Sequence, residues 1–167
     1  RDSTSADAWM AHGYMLVARH PRTLTGSRAA FEHALALDSS NAEAWHQYGS
    51  VLSYLADDSG ALVAYNKALG LEPQRSATLL LIGVLHYRER RLAEAVSALD
   101  SALALDPLMD VAYAIRALVK SRLGDLLGAL DDAQAARRVA ENPLYAEATL
   151  AVGEAARGDT AAGRART

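Results

Sequence analysis

The sequence predicts an all-α protein built as a stack of antiparallel helix hairpins, and three observations carry that expectation. Alanine and leucine dominate a composition holding 1 Phe and 4 Pro, and no stretch alternates apolar and polar residues as a half-buried strand would. Apolar residues recur instead every three or four positions, as in Trp45, Tyr48 and Leu52 and again in Ala61, Tyr65 and Ala68, so each set shares one helix face. The pattern then returns: Gly49 is followed by Gly83, Ala61 by Ala95 and Ala129, Ala68 by Ala102 and Ala136, and Pro73 by Pro107, each step about 34 residues. Small residues fall on small and Tyr65 on Leu99, a register across two helices that chance coincidence does not produce.

In chain order, the first hairpin (about 6–41) opens with Trp9, His12 and Gly13 and closes with Phe31 and Ala34. Extra residues around His20 and Pro21 lengthen its inner turn. The second (about 42–75) carries Trp45, Tyr48, Gly49, Ala61, Tyr65, Ala68 and Pro73, and the third (about 76–109) carries Leu79, Ile82, Gly83, Ala95, Leu99, Ala102 and Pro107. The fourth (about 110–143) keeps Tyr113, Ala117, Ala129 and Ala136 but places Arg116 where its neighbours have a Leu-like residue. Its Pro143 comes two residues late, so a longer final turn is expected. A partial fifth (about 144–167) begins a helix and turns at Gly158-Asp159, with Gly158 matching Gly124. Residues 1–167 are expected to form a single array.

These residues resemble the tetratricopeptide repeat family. Its signature is a large residue, a Leu-like residue and Gly on the first helix, Ala, an aromatic and Ala on the second, and Pro in the closing turn. Residues 42–75 fill every slot. The resemblance implies a right-handed α-solenoid whose first helices line a concave groove suited to a peptide or a helix.

Bulk properties exclude several function classes. With 17 Lys+Arg against 20 Asp+Glu the formal net charge is -3, so the basic field that drives nucleic-acid binding is missing. The absence of cysteine rules out disulfides, thiolate metal sites and cysteine nucleophiles. No run of 18 or more apolar residues occurs, and no membrane insertion is expected. The start RDSTSADAW has neither an initiator Met nor a signal-peptide core, so the chain reads as a piece of something longer. No compartment follows from this; a soluble, cytoplasmic setting is the default expectation.

Most conspicuous residues have packing or capping roles. Gly49, Gly83, Ala61, Ala95 and Ala129 allow close helix approach, and Trp45, Tyr65 and Leu99 are expected to fill the space between. Ser40 and Glu43 have capping-box spacing, Asp106-Pro107 and Asn142-Pro143 read as caps ahead of a first-turn proline, and Asp57-Asp58 begins a helix. His12 and His86 fall on core slots and are expected to be buried and hydrogen-bonded; with His20, His33 and His46 they show no metal-ligand spacing. Asp132 is expected to pair with Arg116 across its hairpin, a combination related repeats often carry. No phosphate loop, nucleophile elbow or Ser/His/Asp grouping is present. Neither catalysis nor a cofactor or metal is expected.

The resemblance places groove positions at Met10, Tyr14 and Val17, at His46, Ser50, Ser53 and Tyr54, at Leu80, Val84, Tyr87 and Arg88, and at Ala114, Leu118, Ser121 and Arg122. Their composition is apolar with a basic margin, fitting a ligand with hydrophobic side chains and an acidic residue for Arg88 or Arg122. Family members that clamp chaperone C-termini use Lys, Asn and Arg at positions that here read Met10, Tyr14, Gln47, Ala77 and Leu81, so that clamp is absent. Arg90 and Arg91 beside Arg88, and Arg137-Arg138, read as complements to helix C-termini or as solvated charge. The leading expectation is a scaffold binding a protein or peptide segment in the groove. The alternative is a regulatory or substrate-presenting arm of a kinase, glycosyltransferase or transcriptional regulator whose activity lies elsewhere. An uncovered apolar face would also support self-association.

Overall fold

The structure is a computed structural model and describes residues 5–19 and 23–140. The lengthened turn at His20 and Pro21, the cap at Asn142-Pro143 and the partial fifth hairpin lie outside these residues. Among the described residues there are eight helices and no strand: α1 (Ala6–Arg19), α2 (Leu24–Leu37), α3 (Ala42–Tyr54), α4 (Asp58–Leu71), α5 (Ser76–Arg88), α6 (Leu92–Leu105), α7 (Asp110–Leu123) and α8 (Leu126–Val139). They fall into two compact units divided between Thr78 and Leu79.

In the first unit, α1 packs on α2 and α3 on α4 as antiparallel pairs, and α2 packs on α3. Glycine permits each pairing. A methyl group on Gly13 would lie 2.9 Å from the Phe31 ring, and one on Gly49 would lie 2.7 Å from Tyr65. Phe31 and Tyr65 are accordingly buried, with Ala30, Ala34, Ala61 and Ala68 around them. The second unit repeats the device with an aliphatic plug, since a methyl on Gly83 would lie 2.8 Å from the buried Leu99. Leu99 joins Ala95, Leu103, Ala112 and Val119 in a core cluster against which Leu80, Tyr87, Met109 and Tyr113 pack.

Helix starts follow a local rule. Asp57 caps α4, its Oδ1 accepting from the Gly60 amide at 3.0 Å, and Asp125 caps α8 by accepting from Gly128 at 3.0 Å. Asp57 thus performs the expected capping role, and Asp58 adds charge to the first turn. Two expected caps are corrected. At α3 the cap is Asn41, whose side chain accepts from the Ala44 amide at 2.9 Å, while the Ser40 hydroxyl donates to Asp38. Asn reaches the amide from one residue closer and leaves Glu43 free for other partners. Asp106 closes α6 and accepts from the Leu108 amide at 3.0 Å. Pro107 therefore sits in a turn two residues before the Met109 cap of α7, not in that helix's first turn.

The histidine expectation is corrected as well. His12 is exposed on α1, and His86 is half-buried with its Nδ1 hydrogen-bonded to no described residue. Burial, reinforced by the Arg91 charge, holds the His86 imidazole below its ordinary pKa. The core slots are filled from the second helices by Phe31 and Leu99, which leaves these rings at the margin.

Candidate functional site

In the first unit the positions expected to line the groove fall on α1 and α3. Tyr14 donates to Glu43 Oε1 at 2.6 Å, Gln47 donates to the same oxygen at 2.9 Å, and Arg75 pairs with Glu43 Oε2. Asn41 Nδ2 donates to the Met10 sulfur at 3.3 Å. His46 Nδ1 lies 2.8 Å from the Thr78 hydroxyl, and Tyr65 donates to Ser50 at 3.2 Å. Burial raises the Tyr14 phenol, and its bond to the Glu43 carboxylate raises it further. Burial alone would raise Glu43, but donation from Tyr14, Gln47 and Arg75 outweighs it and holds the carboxyl below its ordinary range. Burial lowers the His46 imidazole. This face therefore satisfies its polar groups internally; Tyr54, 73% exposed at the end of α3, extends beyond that network.

The second unit is arranged differently. The Arg122 guanidinium lies 5.1 Å from the Tyr87 ring centroid, joining α7 to α5. Leu118, one turn before Arg122, is 37% exposed. Val84 and Ser121 are half-buried beside them, and Arg88 is exposed at the end of α5. Ala114 is only 5% exposed and Leu80 packs on the core, so neither offers much side chain to a ligand. Arg122 makes no ion pair with a described residue, and guanidinium stacked on an aromatic face keeps its in-plane N–H donors available.

Behind this face, Arg116 and Asp132 form the expected pair, with Nε donating at 2.8 Å and Nη2 at 2.6 Å. The structure adds Lys120 at 2.9 Å from Asp132 and Asp100 at 2.5 Å from Arg116. Hydrogen bonding to Asp132 raises the Arg116 pKa despite its burial. The fourth hairpin thus replaces a Leu-like residue by a half-buried cation held by carboxylates on two other helices.

Sequence reasoning missed Glu43 and Arg75, which organise the first face. The available signal was Glu43 itself, one turn before the clamp position Gln47, but its spacing from Ser40 drew it into a capping role. Among the described residues no group of three His, Asp or Glu side chains could hold a metal ion, and no helix is long and apolar enough to cross a membrane.

The paired helices, the glycine-and-plug contacts and the repeated turns define a helical-repeat protein. Residues 42–75 match the family model described as tetratricopeptide repeat. A MamA fragment from Desulfovibrio magneticus RS-1 superposes with a TM-score of 0.82 at 17% identity, covering 92% of this chain and 86% of that one. PilF of Pseudomonas aeruginosa superposes at 0.81 with 20% identity, covering 95% and 72%. YrrB, described as a TPR protein with an unusual peptide-binding site, superposes at 0.75 with 20% identity, covering 94% and 80%. The first TPR of Spaghetti, bound to the HSP90 peptide SRMEEVD, superposes at 0.67 with 21% identity, covering 72% and 98%. No curated protein matches the chain by sequence. Residues 42–75 thus match a tetratricopeptide repeat, and the chain has the all-α helical-solenoid fold of these structures.

Proposed function

We propose that the chain is a protein-interaction scaffold that holds a partner's peptide segment against Val84, Tyr87, Leu118 and Arg122, and that this segment pairs a bulky apolar side chain with a carboxylate. The observation that carries the reading is the Arg122 guanidinium lying over the Tyr87 ring with no ion pair to a described residue, one helical turn from exposed Leu118. A carboxylate can bond such a guanidinium in bidentate fashion while an apolar side chain covers Leu118 and Val84. Peptide binding in YrrB and in the first TPR of Spaghetti, whose bound peptide is acidic, supports the reading by analogy of fold. The recognition differs from a lysine-rich clamp, because the corresponding positions are Met10, Tyr14, Gln47, Ala77 and Leu81.

Photo-crosslinking tests it. A photoreactive side chain at Ser121, in cells expressing the protein, is expected to capture a partner that the same group at exposed Asp131 on α8 does not. Leu118→Asp is expected to abolish capture without lowering the thermal midpoint by more than a few degrees. Equal capture from both positions, or capture indifferent to Leu118→Asp, rejects the assignment.

A further inference from the structure

Within the first unit, Trp45 on α3, the turn residue Ser39, and Val63, Asn66, Lys67, Gly70 and Leu71 of α4 enclose an open cleft of about 640 Å³. It uses none of the groove positions described above. Its size lies within the range of small-ligand sites. Val63 is 61% exposed and Leu71 43%, so two aliphatic walls stand uncovered on either side of the Lys67 turn. The Trp45 indole is fixed from behind by donating to the Ser39 carbonyl at 2.9 Å.

Gly70 lines the same cleft. The other described glycines have a local cause: Gly13, Gly49 and Gly83 face Phe31, Tyr65 and Leu99, Gly26 faces Leu16, Gly60 and Gly128 lie against their capping aspartates, and Gly124 has φ 84. A methyl group on Gly70 would meet nothing within 4 Å. The helix backbone at Gly70 is therefore open to close approach by a ligand.

We propose that this cleft is a second docking site, taking an extended peptide segment whose bulky apolar side chain lies between Trp45, Val63 and Leu71 over Gly70 and whose adjacent carboxylate meets Lys67. Lys67 is the one ionisable residue lining the cleft and makes no ion pair with a described residue, so charge complementarity favours a peptide carrying a carboxylate beside an apolar side chain.

The test is an NMR titration of the whole chain with the acetylated, amidated peptide Ser-Leu-Glu-Leu-Ser and its Glu-to-Lys counterpart, reading the Trp45 indole N–H. The acidic peptide is expected to shift that signal with at least about tenfold higher affinity than the basic one. Gly70→Gln, which places a side chain in the cleft, is expected to weaken the response at least about tenfold while leaving the Tyr87 and Leu118 signals responsive. Lys67→Glu is expected to reverse the peptide preference. A Trp45 response equal for both peptides, or unchanged by Gly70→Gln and Lys67→Glu, overturns the proposal. So does a Trp45 signal that shifts with protein concentration alone, which would make a second copy the occupant. Because the Tyr87 and Leu118 signals are read separately, either site can fail without the other.

Discussion

Gly49 and Gly83 occupy the same step of the repeat, yet one lies under the ring of Tyr65 and the other under the branched end of Leu99. The two units differ further in how they treat polar groups. In the first, Tyr14, Gln47 and Arg75 converge on Glu43 and saturate the face that first helices present. In the second, the carboxylate that gathers cations is Asp132 on the second helix α8, deep in the hairpin, which leaves Arg122 on Tyr87 at the surface. One backbone pattern therefore yields an internally satisfied face and a face whose Arg122 makes no ion pair with a described residue. Packing slots fix the repeat, and the placement of one acid per unit sets how the polar groups of each face are paired.

The sharpest break in this comparison comes from the buried acid. Asp132→Ala strips the carboxylate from Arg116 and Lys120, whose partner side chain is only 5% exposed, and is expected to cost about 3–5 kcal/mol in chemical denaturation. The plugs come next. Tyr65→Ala is expected to lose about 3–5 kcal/mol and Leu99→Ala about 2–5 kcal/mol, so equilibrium unfolding should rank the aromatic unit as the more damaged. Urea curves showing no loss at either position would mean that neither plug is seated under its glycine.

Glu43 gives a smaller, pH-dependent effect. Its folded pKa is depressed, so its contribution is present above the ordinary carboxylate range and disappears as pH falls through the folded value. Stability of the parent is thus expected to fall more steeply than that of Glu43→Gln as pH drops from about 5 toward 3, over the window in which carboxylates protonate. Superimposable pH profiles would show that the Tyr14, Gln47 and Arg75 donors do not favour the charged form. The smallest effect should be a gain: Gly70→Ala removes backbone entropy from the unfolded chain and meets nothing in the fold, for about 0.5–1 kcal/mol of stabilisation by thermal denaturation. A loss instead would mean that the Gly70 environment is closed.

The hairpins were legible because the signature encodes volumes. Gly13 under Phe31, Gly49 under Tyr65 and Gly83 under Leu99 can be paired from residue size and spacing alone. Arg116 with Asp132 was legible because a charge in a core slot requires a partner on the facing helix. Caps were read less well: Asn41 and Ser40 both have cap chemistry, and only backbone geometry selects between them. His12 and His86 misled because slot position does not report which side chain fills the interior first. Glu43 was misassigned because contacts from Tyr14 and Arg75, far away in sequence, outweigh its local spacing. The two faces looked alike as sequence, since the carboxylates that gather cations, Glu43 on α3 and Asp132 on α8, lie on the first helix of one hairpin and the second helix of another.

The most direct measurement is a calorimetric titration of the parent and Arg122→Glu with the acetylated, amidated peptide Ser-Leu-Glu-Leu-Ser and its Glu-to-Lys counterpart, repeated in a Gly70→Gln background. The parent is expected to bind the acidic peptide at least about tenfold more tightly, and Arg122→Glu to invert the preference. Equal affinities for the two peptides, unchanged by Arg122→Glu, would contradict it.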